Sequence, residues 1–285
     1  MAFFFSLQAG SAAKTLIAAA LVGAGFTVSG QVAEDYALRE RAYALAGSGQ
    51  CPAAVSAFTQ LARNGGDARD WLAAATCAIE AGDPARAVEA LQQVLPQRHT
   101  LTIDEQLFAL RSYAYQAEAY GDWQGVHASW SDAAALSGET RDRLMAARGA
   151  RLAGQSEEAR RGLDGIQPAA LAPDFAAIYH DERAHHAAAS GRYREALAHI
   201  DSAVIAQDAP FRRYQQGLYM VRLGLDRSAA HAFELALASD PDNANILMSL
   251  AYAYRTAGNL AAARETYSRA ARIEPGMARV AADFL

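Results

Sequence analysis

The sequence lacks the marks of most enzymes. It has no GxSxG nucleophile turn, no P-loop and no dinucleotide fingerprint, and its glycines are spread along the chain instead of gathered around a phosphate. No nucleophile–base pairing stands out, so catalysis is not expected. Positive charge is in deficit, with 26 Lys+Arg against 31 Asp+Glu and a formal net charge of −5; non-specific nucleic-acid binding normally needs a basic surplus. At 20% charged and 52% hydrophobic, the chain is too apolar for a disordered protein and has ample material for a core. Only two cysteines occur, Cys51 and Cys77.

Long apolar runs are also missing. The longest, Thr15 to Val28, has 14 residues and follows Lys14. A bilayer span takes about 20 residues, whereas 14 suits the core of a secretory signal peptide. Val28 and Gly30 supply small residues for cleavage after Gly30. The expectation is therefore an exported protein with residues 1–30 removed and no transmembrane segment in the mature chain. A buried first helix and an uncleaved anchor are the alternatives. Cys51 lies too far from the run to be acylated as in a lipoprotein.

What is present is a period. Glycines close apolar stretches at Gly49, Gly82, Gly121, Gly154, Gly191, Gly224 and Gly258, at spacings of 33, 39, 33, 37, 33 and 34. Five residues after each comes a small side chain: Ala54, Ala87, Val126, Ala159, Ala196, Ala229 and Ala263. Four further on stands a large one: Phe58, Leu91, Trp130, Leu163, Ile200, Phe233 and Tyr267. Seven positions before each glycine is another small residue: Ala42, Ala75, Ala114, Ala147, Ala184, Gly217 and Ala251. A helical hairpin explains all four positions. Glycine supplies the left-handed turn, small residues let two helices approach, and the large residue fills the space against the next hairpin. Pro52 and Pro84 fit the first turn of second helices, and Pro241 and Pro275 follow their ends.

This pattern resembles the tetratricopeptide repeat. Leu247, Leu250, Ala251, Tyr254, Gly258, Ala263, Tyr267, Ala270 and Pro275 occupy the family's signature positions in the last unit. The preceding unit has Gly217, Ala229, Phe233, Ala236 and Pro241, and the second has Trp71 at the first aromatic position. The resemblance implies an all-α, right-handed α-solenoid over 31–285, with about seven hairpins near 35–67, 68–100, 107–139, 140–172, 177–209, 210–243 and 244–276. A capping helix is expected at 277–285. The longer spacings place insertions near Gln97–Thr102 and Gly165–Pro173.

Three local features invite chemistry. His180-Asp181-Glu182-Arg183-Ala184-His185-His186 puts Asp181 with His185 and Glu182 with His186 at i,i+4, which could share a metal, or forms a polar stripe. Asp240-Pro241-Asp242-Asn243 resembles the start of a calcium loop but lacks the third ligand, the glycine and the distal glutamate; it also suits a helix cap. Cys51 and Cys77 fall at similar heights on neighbouring antiparallel helices, and in an exported protein that invites a disulfide. Cysteine is equally a small buried residue. No metal or cofactor is expected.

The family resemblance further implies that first helices line a concave face, with ligand contacts at repeat positions 2, 5, 9 and 12. Those positions hold Tyr36, Arg39, Tyr43 and Arg69 early in the chain, then Phe108, Arg111 and Tyr115. Arg141, Arg148 and Arg151 follow in the fourth unit, and Phe211, Tyr214, Tyr252 and Arg255 in the last two, with Leu218, Val221 and Met248 between them. Of the 28 such positions, seven are arginine, seven aromatic and two acidic, a composition suited to binding, although some of these side chains could instead pack against neighbouring units. The asparagine of the family's chaperone-tail clamp is missing at position 9. The expectation is a periplasmic, protein- or peptide-binding scaffold of the bacterial cell envelope, free or associated with the outer membrane, serving assembly or export of a surface structure. An acidic partner would suit the arginines. The rival is a module handling an anionic polysaccharide in exopolysaccharide export or phage adsorption.

Overall fold

The computed structural model describes residues 30–277. The expected leader, up to residue 29, and the expected cap, from residue 278 onwards, lie outside the described residues. Among those described there are fourteen α-helices and no strand. They are α1 Gly30–Gly47, α2 Cys51–Arg63, α3 Ala68–Glu80, α4 Pro84–Val94, α5 Ile103–Glu118, α6 Trp123–Ser137 and α7 Thr140–Leu152. The second half holds α8 Ser156–Leu163, α9 Pro173–Ala189, α10 Tyr193–Ala206, α11 Pro210–Arg222, α12 Asp226–Leu237, α13 Ala244–Thr256 and α14 Leu260–Ile273. Both expected insertions are filled by short 3₁₀ segments, Leu95–Thr100 and Pro168–Ala170.

The described residues divide into two compact units that meet in sequence between Gln116 and Ala117. In the first, α1 packs on α2, α2 on α3 and α3 on α4. In the second, each helix from α6 to α14 packs on the next. This is the helix-turn-helix stacking of a tetratricopeptide solenoid, in which each hairpin buries its apolar side against its neighbours.

The four sequence positions explain the packing. All seven turn glycines have positive φ, between 69° and 85°, which other residues adopt only with strain. All seven large residues, from Phe58 to Tyr267, are at most 2% exposed. Burying each side chain stabilises by about 1.5–3 kcal/mol. The small residues are buried with them, and one shows how tight the contact is. A Cβ added to Gly217 on α11 would lie 2.5 Å from a ring carbon of Phe233 on α12.

Caps start several helices. Asp67 and Asp70 form a reciprocal capping box on α3, which satisfies backbone N–H groups that a helix start leaves open. Asn243 of the Asp-Pro-Asp-Asn segment accepts from Ile246 N at 3.2 Å, so this residue is used as a helix cap.

Candidate functional site

The first helices of the hairpins are the odd-numbered ones, and they carry every residue of the expected groove. In the first unit, Tyr36, Phe108 and Tyr115 are exposed. Tyr43 meets Phe58 edge-on, with ring centroids 5.0 Å apart, and burial raises its pKa. Arg111 is half-buried. Arg39 Nη2 donates to Asp70 Oδ2 at 2.6 Å, and Asp70 is 2% exposed. Arg69 Nε donates to Glu105 Oε1 at 3.1 Å. Asp70 and Glu105 each also cap their own helix, Asp70 by accepting from Asp67 N and Glu105 from Thr102 N at 2.8 Å.

In the second unit the arginines of α7 are paired in the same way. Arg148 Nη1 donates to Glu118 Oε2 at 2.7 Å. Arg151 Nη2 donates to Glu182 Oε1 on α9 at 2.9 Å. Hydrogen bonding to Arg148 holds the Glu118 carboxyl below its ordinary range, and the same contact raises Arg148. Arg141 lies 3.5 Å from buried Asp142 and 5.7 Å from the centroid of Phe175. A carboxylate thus stands beside each of Arg141, Arg148 and Arg151. Glu118 and Glu182 come from neighbouring first helices, 30 and 31 residues away, and Asp142 from α7 itself.

The same pairing occupies the acidic members of the His180–His186 cluster on α9. Asp181 accepts from Arg212 of α11 at 2.8–3.0 Å, and Arg212 is 3% exposed. Burial raises the Asp181 pKa, against the opposing pull of Arg212. Glu182 is held by Arg151. His180 turns instead to His199 of α10. Among the described residues, no group of three or more His, Cys, Asp or Glu is arranged to hold a metal.

The first helices of the last two hairpins differ. On α11 and α13, Leu218, Val221, Met248 and Tyr252 surround an open cavity of about 240 Å³. Phe233 and Tyr267, both buried, form its floor, and Ser249 is its polar member. Phe211 and Tyr252 are exposed. Tyr214 stacks on Phe233 at 5.7 Å, and the Arg255 guanidinium sits 5.4 Å from the Tyr252 ring centroid. The repeat register points to the rim residues. It does not reveal that Phe233 and Tyr267, which read as packing residues, also line the cavity from below.

Cys51 and Cys77 are both buried free thiols. Cys51 Sγ donates to Glu80 Oε2 at 3.0 Å. Burial is the main cause that pushes the Cys77 thiol up to about 12, with a hydrogen bond to Cys51 second. The fold thus brings the two sulfurs together, in their thiol form.

A family model described as tetratricopeptide repeat matches residues 39–99 and 214–278. No curated protein matches the chain. Among solved structures, the fold is similar to a chain in the APC/C hetero-tetramer Cut9–Hcn1, with a TM-score of 0.61 at 16% identity. That match covers 86% of this chain and 47% of the other, so this chain spans about half its length. It is also similar to a tetratricopeptide repeat protein from Parabacteroides merdae ATCC 43184, with a TM-score of 0.58 at 13% identity, covering 88% and 98% of the two chains. At such identities the likeness concerns the fold alone. The chain thus carries tetratricopeptide repeats near both ends, where the family model matches, and hairpins of the same build continue between them.

Proposed function

We propose that this protein is a non-catalytic scaffold of the bacterial cell envelope that grips a segment of a partner protein on its first helices. Proteins of this family are generally scaffolds for protein–protein interaction. The observation that carries the reading is the open apolar cavity bounded by Leu218, Val221, Met248 and Tyr252. Half-buried apolar side chains around an unfilled space gain by covering it with a partner's apolar group. Placement in the periplasm rests on the 14-residue apolar run after Lys14. Service to the assembly or export of a surface structure is the role that fits a binding module in that compartment. The arginines that suggested an anionic partner are largely satisfied within the protein, which favours a polypeptide over an acidic glycan.

The test is comparative capture from envelope extracts of the native host. Wild-type protein should retain a partner that the Tyr252→Ala/Met248→Gln variant loses, with helical signal and melting temperature nearly unchanged. Equal capture by both would remove the cavity from the function. Intact mass of the native protein tests export separately: the mature form should begin near Gln31, and retention of Lys14 would end the periplasmic reading.

A further inference from the structure

Between α9 and α10, two imidazoles meet in a way that neither the repeat pattern nor partner binding requires. His180 Nδ1 and His199 Nδ1 lie 3.3 Å apart, with ring centroids at 5.6 Å and planes inclined by 35°. Both rings are half-buried. We propose that His180 and His199 form an open two-histidine site for a borderline divalent metal ion of the zinc class, joining the two helices of one hairpin.

Distance is the first argument. Zinc–nitrogen bonds of about 2.0–2.1 Å at a tetrahedral angle set neighbouring ligand nitrogens about 3.3–3.4 Å apart. The two Nδ1 atoms already have that separation, so a bound ion would need the rings to turn but the helices to move little. Hydrogen bonding is the second. A metal needs the lone pair of each imidazole. Without a metal, one Nδ1 must carry a proton to donate to the other; binding replaces that single hydrogen bond by two metal bonds and releases no proton if the tautomer shifts to Nε2.

The surroundings set the strength of the site. Tyr179 packs edge-on against His180 at 5.3 Å and shields one side. Arg183 opposes a cation, but its charge is offset by Asp164 at 3.5 Å. Glu195 favours one from α10, while held by Arg192 at 2.8 Å. With two protein ligands, the remaining positions fall to water, so affinity should be in the micromolar range and not that of a closed structural zinc site.

Titration of chelator-treated, full-length protein with Zn²⁺ at neutral pH should give one site of that affinity. His180→Gln and His199→Gln should each weaken it at least tenfold, and the double variant should be no worse than either alone. His231→Gln, at an exposed histidine, should change nothing. Imidazole ¹⁵N resonances provide a second readout: Zn²⁺ should shift Nδ1 of both His180 and His199 in wild type, and the variants should lose the shift at the remaining histidine, with circular dichroism confirming that all are folded. Unchanged binding in both single variants, or millimolar binding only, would mean an adventitious ion only and overturn the site.

Discussion

The first helices of the second unit present two different faces built on the same repeat positions. On α7 and α9 those positions carry charge, and the charge is spent: Arg148 on Glu118, Arg151 on Glu182, and Asp181 on Arg212 of α11. On α11 and α13 they carry Leu218, Val221, Met248 and Tyr252 around an open cavity. The contrast shows that a repeat position does not by itself make a binding residue. A side chain whose partner comes from the next hairpin is part of the frame, whereas one left facing an unfilled apolar space is available to something else.

Breaking the frame should cost most. Arg212→Ala removes a buried guanidinium and strips the partly buried Asp181 of its partner, which should destabilise by about 3 kcal/mol, read as a shift in the denaturant midpoint. If it costs no more than a surface change, the paired face is solvated and the contrast fails. Next in size is a covalent fastening of α2 to α3: oxidation of Cys51 and Cys77 to a disulfide by an added oxidant should contribute about 3 kcal/mol on the chain-entropy model. Non-reducing mass mapping detects it, and with the Cys77 thiol pushed up to about 12 its formation should be slow.

Smaller effects probe the apolar face from below. Gly217→Ala drives a methyl group into the Phe233 ring, and because Phe233 is fully buried the ring cannot swing aside freely. A loss of about 1–3 kcal/mol is expected, with weaker partner capture because Phe233 floors the cavity; a rise in stability would show the contact to be loose. The smallest effect is acid sensitivity. His180, His185 and His199 are all held below the ordinary 6.5, mainly by burial. Stability from keeping them neutral is whole above about pH 6.5 and declines as pH falls towards their folded values, because the unfolded chain then binds more protons. The melting temperature should slip by roughly a few degrees between pH 7 and 5.5, less so in His180→Gln/His199→Gln. Glu118, lowered by Arg148, adds a second decline only below its ordinary 4.5.

The hairpins were readable in the sequence because close packing restricts side-chain size at fixed intervals. Gly217 and Ala251 must be small, Phe233 and Tyr267 must be large, and no partner need be known to see it. The arginines were not readable in this way. Charge pairing depends on which residue of the next hairpin comes level, and Arg39 with Asp70 or Arg151 with Glu182 are related by a register of 31 residues, slightly short of the repeat. That offset is the signal that could have exposed them: an acid about 31 positions from an arginine, on the neighbouring first helix. The His180–His199 contact escaped for a related reason, since the sequence offered nearer carboxylates along one helix and the fold chose a partner across the turn.

Asp70 and Glu105 each serve two masters, and this has a kinetic meaning. Asp70 starts α3 by accepting the Asp67 backbone N–H, while receiving Arg39 from α1; Glu105 starts α5 through Thr102 while receiving Arg69 from α3. A helix start is the costly event in helix formation. Tethering it to an arginine on the hairpin before means that the earlier hairpin, once in place, lowers the nucleation barrier of the next. In a one-dimensional array, order should then propagate through this stretch with a direction, from α1 towards α5, and fraying of α1 should loosen α3 before it reaches α4.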